Sequence, residues 1–238
     1  MENNNIELNE YAKEFFLYAY FGIVAKDYND TIRKDSRTEM IGKCVRRAYL
    51  DMNRTLELNK EESPFYNLIG KELAEKLSCD KPVKELREDA YSVFFDGDDN
   101  VKASVGKLLK IKTVKGEKRK GKPFYYGQAQ KWINMSIKYM WLIGLINDES
   151  ELEPPIDSFI MKGASDFVEF PLYPDGEKKG KYSEGKTMPW SKLSKDETKD
   201  IQKGISDGIK NPPYDAPIKW ECDTWIIQAE TEKRKRKK

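Results

Sequence analysis

The chain has 238 residues, of which 38% are hydrophobic and 35% charged, and its 43 Lys and Arg against 41 Asp and Glu leave a formal charge of only +2. The sequence holds no histidine, which excludes every Ser-His-Asp or Cys-His mechanism and every His-ligated zinc site, and leaves Lys, Asp, Glu, Tyr or a metal held by oxygens for any catalysis. Three widely spaced cysteines (Cys44, Cys79, Cys222) form neither a metal spacing nor a disulfide framework.

In chain order, residues 7–24 read as a helix with Phe15, Tyr18, Ala19 and Gly22 on one face. A second helix spans 37–57, with Ser36 as cap and Glu39 closing a capping box. Residues 65–77 and 83–95 repeat the helical pattern, and Asp99 or Asn100 can cap a further helix over 101–110. Residues 96–100 lack the ligand spacing of a calcium loop and read as a plain turn with a cap. A Lys- and Gly-rich loop over 113–123 leads into a long helix, 128–146, with Ile133, Ile137, Met140 and Gly144 as its apolar stripe. Pro154-Pro155 stops the chain before Asp157, which starts a short helix. Residues 166–189, rich in Gly, Pro and aromatics, read as loops with a hairpin. Helices over 195–209 and 217–230 follow, then a basic disordered tail, 231–238. The expected fold class is all-α, with residues 1–230 forming one domain of two helical lobes. Thirteen Tyr, ten Phe and five Trp supply core area that the modest hydrophobic fraction does not.

Charge is distributed unevenly. Residues 107–122 carry eight Lys or Arg and one Glu, and the last six residues are all Lys or Arg. Such runs can neutralise nucleic-acid phosphates and release counterions. No basic segment followed by an apolar run opens the chain, and no stretch reaches 18 apolar residues. A cytoplasmic protein without leader or membrane span is the expectation, working as a monomer and without a cofactor.

The stretch that carries chemistry is Tyr125-Tyr126-Gly127-Gln128-Ala129-Gln130-Lys131-Trp132. A glycine just before a helix can turn the backbone sharply and present free amides at the positive end of the dipole, where a phosphate binds well. Gly127 and Gln128 are therefore candidate DNA-backbone contacts, with Lys115, Lys118, Arg119, Lys120 and Lys122 of the loop before them. Lys131, Met135, Lys138 and Leu142 share one helical face, opposite the Ile133 stripe. Twenty-six residues beyond Lys131, Asp157 is an apt N-cap, which fixes the direction of its carboxylate.

The order of these parts (a Gly-led hairpin, a Lys near the start of the next helix, then a proline-hydrophobic-Asp cap) resembles the helix-hairpin-helix DNA glycosylases. The likeness is closest to the archaeal 8-oxoguanine glycosylase branch, AGOG. Met135 and Lys138 stand four and seven residues beyond Lys131, as in that branch. Asn211-Pro212-Pro213 and the run from Trp220 through Asp223 to Trp225 resemble its closing segment, with a shorter Asp-to-Trp spacing. The resemblance covers roughly residues 100–160 and 211–227, and this hairpin has one glycine where many relatives have two.

The resemblance implies two helical lobes around a cleft and double-stranded DNA as partner. It implies excision of an oxidised purine such as 8-oxoguanine from a flipped nucleotide, through a Schiff base on Lys131, with Asp157 as its carboxylate partner. Burial and the like charge of Lys138 would favour the neutral amine that attack requires. Trp132, Trp220 and Trp225 would stack on the base, Asp223 would accept its hydrogen bonds, and Met135 and Lys138 would line the pocket. Two alternatives use the same residues differently: a glycosylase that removes a modified base from phage DNA, and a helical nucleic-acid-binding protein without chemistry.

Overall fold

The computed structural model describes residues 10–23, 34–56, 64–95, 125–173, 176, 178–209 and 214–236. Eight α-helices lie among them: α1 (Glu10–Phe16), α2 (Lys34–Leu56), α3 (Pro64–Leu77), α4 (Val83–Tyr91), α5 (Tyr126–Leu142), α6 (Ser158–Gly163), α7 (Lys195–Gly208) and α8 (Pro217–Lys235). The only strands among the described residues are β1 (Phe170–Pro171) and β2 (Lys179–Gly180), an antiparallel pair with Phe170 opposite Gly180. The protein is therefore mainly helical, as its periodicity indicates. No described helix is long and apolar enough to cross a membrane.

α5 is the hub. It packs most extensively on α2 and also meets α4, α7 and a 3-10 turn at Trp190–Lys192, while α6 packs on α8. Ile133, Ile137 and Met140 of α5 are buried, as their spacing requires. Trp132 is fully buried between Tyr49 and Phe94, with ring centroids 5.1 and 5.6 Å away. Its indole N–H donates to the Val45 carbonyl at 3.0 Å, so the one polar atom of the ring is satisfied inside the core.

Several boundaries differ from the sequence reading, each for a local reason. The first helix gives way to a π turn at Leu17–Phe21 and ends at Gly22, whose φ of 67° lies in the left-handed region. α5 stops at Leu142 rather than 146 because Gly144, with φ of 80°, closes a Schellman motif: Leu145 N–H donates to Met140 O at 2.8 Å and Gly144 N–H to Trp141 O at 3.0 Å. The last helix runs on through Lys235, into residues read as a disordered tail. There Lys233 pairs with Glu230 at 3.3 Å and Lys235 with Glu232 at 3.0 Å, and cations suit the negative end of the helix dipole. The helix expected over 101–110 and the basic loop after it lie outside the described residues.

Candidate functional site

The segment between α5 and α6 is irregular in secondary structure but fixed by side chains reaching in from three helices. Arg87 of α4 donates to the Glu151 carbonyl at 2.9 Å and pairs with the Glu153 carboxylate at 3.2 Å. Gln202 of α7 donates to the Pro154 carbonyl at 2.7 Å. Gln130 of α5, fully buried, grips Ile156 from both sides: its Nε2 donates to the Ile156 carbonyl at 2.8 Å, and its Oε1 accepts the Ile156 N–H at 3.1 Å. Two prolines leave this strap few amides of its own to satisfy, and the side-chain amides take the place of a neighbouring strand.

The strap delivers Asp157 to Lys131. Asp157 Oδ1 accepts the N–H groups of Phe159 (2.9 Å) and Ile160 (3.1 Å), capping α6. Its Oδ2 accepts from Lys131 Nζ at 3.1 Å, and the two side chains are only 12% (Lys131) and 13% (Asp157) exposed. One oxygen is thus given to the helix and the other to the amine, so the carboxylate cannot rotate away without breaking a cap.

Trp190 covers the amine from the other side, with its ring centroid 4.6 Å from Lys131 Nζ, a cation–π distance. Gly127 makes this approach possible. A methyl group there would lie 1.9 Å from the Trp190 carbonyl oxygen, and the Gly127 N–H donates to Leu193 O at 2.9 Å. Gly127 and Gln128 were expected to hold a phosphate, yet both are occupied internally. The Gly127 amide holds the 3-10 turn, and Gln128 Oε1 accepts the Tyr125 N–H at 3.1 Å to close the start of α5. Lys115, Lys118, Arg119, Lys120 and Lys122 lie outside the described residues.

Two turns along α5, Lys138 meets Glu221 of α8 at 2.5 Å, with the Glu221 side chain 3% exposed. The sequence reading cast Lys138 as a bare like charge beside Lys131, but Glu221 offsets it. Burial lowers the affinity of Lys138 for its proton, yet Glu221 and the Cys222 thiol outweigh that and the net shift is upward. Burial pushes the Glu221 carboxyl up; Lys138 pulls it down, and the Asp157 charge adds a push upward. Two cations and two anions therefore share one buried network along a single face of α5. Burial also pushes the Cys222 thiol up to about 11.

A cavity of about 520 Å³ opens beside Trp190. Ser158 and Met161 of α6, Tyr173, Tyr182, Trp190 and Lys192 are among its walls. Asp157 acts on the Tyr182 hydroxyl, whose pKa is raised first by burial and then by Glu184 and Asp157. The hollow is linked to the ion pair through Trp190, which covers the amine, and Ser158, which follows Asp157, while neither Lys131 nor Asp157 lines it.

The remaining expected residues are scattered. Met135 is partly buried against the core. Trp132 lies in the core and is closed to any ligand, because its indole belongs to the α2 face of α5. Trp220 is buried edge-on to Phe167, whereas Trp225 is 44% exposed and edge-on to Phe159, two residues from Asp157. Asp223 is exposed and accepts from the Tyr214 hydroxyl at 3.0 Å. The residues that shape the site without having been singled out are Gln130, Trp190 and Tyr182. Gln130 and Ile156 precede Lys131 and Asp157 by one residue each, so the clamp and the ion pair share one register. A Gln inside an apolar helical stretch was the available signal.

Among the described residues no group of three or more Cys, Asp or Glu is placed to hold a metal ion. No protein-family model matches the chain, and neither a curated protein nor a solved structure matches it.

Proposed function

We propose that the protein is a DNA glycosylase with AP lyase activity, working through an amine on Lys131, in a two-lobed helix-hairpin-helix architecture. The observation that carries this reading is the 3.1 Å contact between the Lys131 amine and the Asp157 carboxylate, made across 26 residues of sequence behind the Trp190 wall of a cavity. Gly127, read as the lead of that hairpin, lies in the first turn of α5 against the Trp190 carbonyl, and the residues just before Tyr125 lie outside the described ones.

In this mechanism a damaged nucleotide leaves the duplex stack and enters the cavity, where Tyr182 and Trp190 offer ring faces. Asp157 Oδ2 takes a proton from the Lys131 ammonium, and the freed amine attacks the sugar C1′. The C1′–N bond breaks with its electron pair going to the base, which takes up the proton that Asp157 had accepted. Asp157, ionised again, stabilises positive charge developing on the sugar. Opening of the sugar ring gives an imine between C1′ and Nζ. Loss of a C2′ proton then expels the 3′ phosphate and cuts the strand. An oxidised purine of the 8-oxoguanine kind is the proposed base.

Borohydride trapping on an 8-oxoguanine duplex, run beside DNA carrying phage-modified bases, tests the reading. A covalent protein–DNA adduct is expected, absent in Lys131→Ala and slowed by about 10²–10⁴-fold in Asp157→Asn, the span of general acid–base contributions. Adduct on the phage DNA alone would keep the mechanism and move the substrate. Absence of both base release and adduct on every substrate would overturn it.

A further inference from the structure

The last two turns of α8 reach α6, which lines the cavity beside Trp190. α6 carries Ser158 and Met161 into the cavity wall, and its next residue, Lys162, donates to Glu232 of α8 at 2.6 Å. Lys235 donates to the same Glu232 oxygen at 3.0 Å. Glu232 and Lys235 are close enough to act electrostatically on Tyr182 and Glu184 of the cavity. The two acids of this end are both engaged, Glu230 by Lys233 and Glu232 by Lys162 and Lys235. Arg234 and Arg236 are exposed and make no ion pair among the described residues.

We propose that the C-terminal turn of α8 is a phosphate clamp, in which Arg234 and Arg236, supported by Lys233 and Lys235, grip the DNA backbone flanking the sugar held at Lys131. The position of that sugar rests on the glycosylase reading, while the clamp itself is a charge-and-geometry claim about a duplex partner. The competing role for these cations is purely structural, as counter-charges to the helix dipole. That role affects thermal stability and not the salt dependence of DNA binding.

The test is fluorescence anisotropy of the full chain with a duplex carrying an uncleavable tetrahydrofuran abasic analogue, titrated across salt concentrations. Arg234→Gln/Arg236→Gln is compared with Lys71→Gln/Lys76→Gln, an equal charge change on α3, which packs on α2 and α4. Each phosphate contact contributes about 0.9 to the slope of log K against log salt. The arginine variant is expected to flatten the slope by about 2 and to weaken binding tenfold or more at about 0.1 M salt. The α3 variant should keep the slope of the unmodified protein. Equal slopes in the two variants would overturn the clamp, whether or not the arginine variant melts earlier, and so would absence of duplex binding. Base release plays no part in this readout. A flattened slope in a protein that, in the separate trapping experiment, neither releases a base nor forms an adduct would keep the clamp and remove the glycosylase reading. An adduct with an unchanged slope would do the reverse.

Discussion

Lys131 and Trp132 are neighbours on α5 and belong to two kinds of structure. Trp132 faces α2, where Tyr49 and Val45, joined by Phe94 just after α4, close round it in a contact set that is almost wholly apolar. Lys131, about 100° round the helix, faces Asp157, Trp190 and the cavity, and everything there is placed by single hydrogen bonds and one close backbone crossing. The apolar side is redundant, since many small contacts share the work. The polar side depends on a few bonds, any one of which sets a direction. One helix can therefore carry a stable fold on one face and a finely aimed pair of charges on the other.

The comparison breaks most violently at the tryptophan. Trp132→Ala should cost about 3–5 kcal/mol of unfolding free energy, the usual penalty for emptying an aromatic core position, measured by denaturant titration. If the loss is under about 1 kcal/mol, the surface-substitution range, α5 is not anchored as described. Gln130→Leu sharpens the contrast. It leaves the Ile156 N–H and carbonyl without their partners, at about 1–3 kcal/mol per stranded group before the strap relaxes. Formation of the adduct on Lys131 should fall by more than the stability loss explains, because Asp157 is the next residue. Gln130→Glu, which can still accept from the Ile156 N–H, should be milder on both counts. Stability loss alone, with adduct formation unchanged, would show that the clamp does not aim the acid.

The smallest expected effect is on pH dependence. Glu232 is pulled from an ordinary value of 4.5 to about 2, first by its hydrogen bond from Lys162 and then by that from Lys235. A depressed carboxyl contributes stability that is complete above its unfolded value and disappears as pH falls through the folded one. The link between α6 and α8 should hold above about pH 5 and weaken progressively toward pH 2. Because the group lies in solvent, the change in melting temperature should be slight and should vanish in Glu232→Gln.

The helical class and the apolar stripe of α5 were readable because Ile133, Ile137 and Met140 repeat at the helical period, and burial follows that period directly. The approach of Asp157 to Lys131 was readable only from the order of motifs. Gln130 illustrates what could not be read. Its amide bonds to a backbone 26 residues away, and only the meeting of α5 with the strap gives it a partner. Gly127 misled for a related reason: a glycine at a helix start suits an anion and a closely packed chain equally, and the position of Trp190 decides between them. Trp132 and Trp190 show the same limit, since a ring's place in core or cavity depends on which face its helix or turn presents. Residues 231–235 continue as helix because Glu230 and Glu232 pair with lysines three positions on.

The cap on α6 has a lineage-level consequence. Six residues form too short a helix to persist alone, so Asp157 both orients an amine and keeps a wall of the hollow standing. A descendant that exchanged this aspartate for a residue unable to cap would lose the amine's partner and the wall in the same step, whereas Asn or Ser would keep the cap alone. Change in the shape of the hollow is therefore open through Tyr173, Tyr182 and Lys192 of its lining, and constrained at the acid itself.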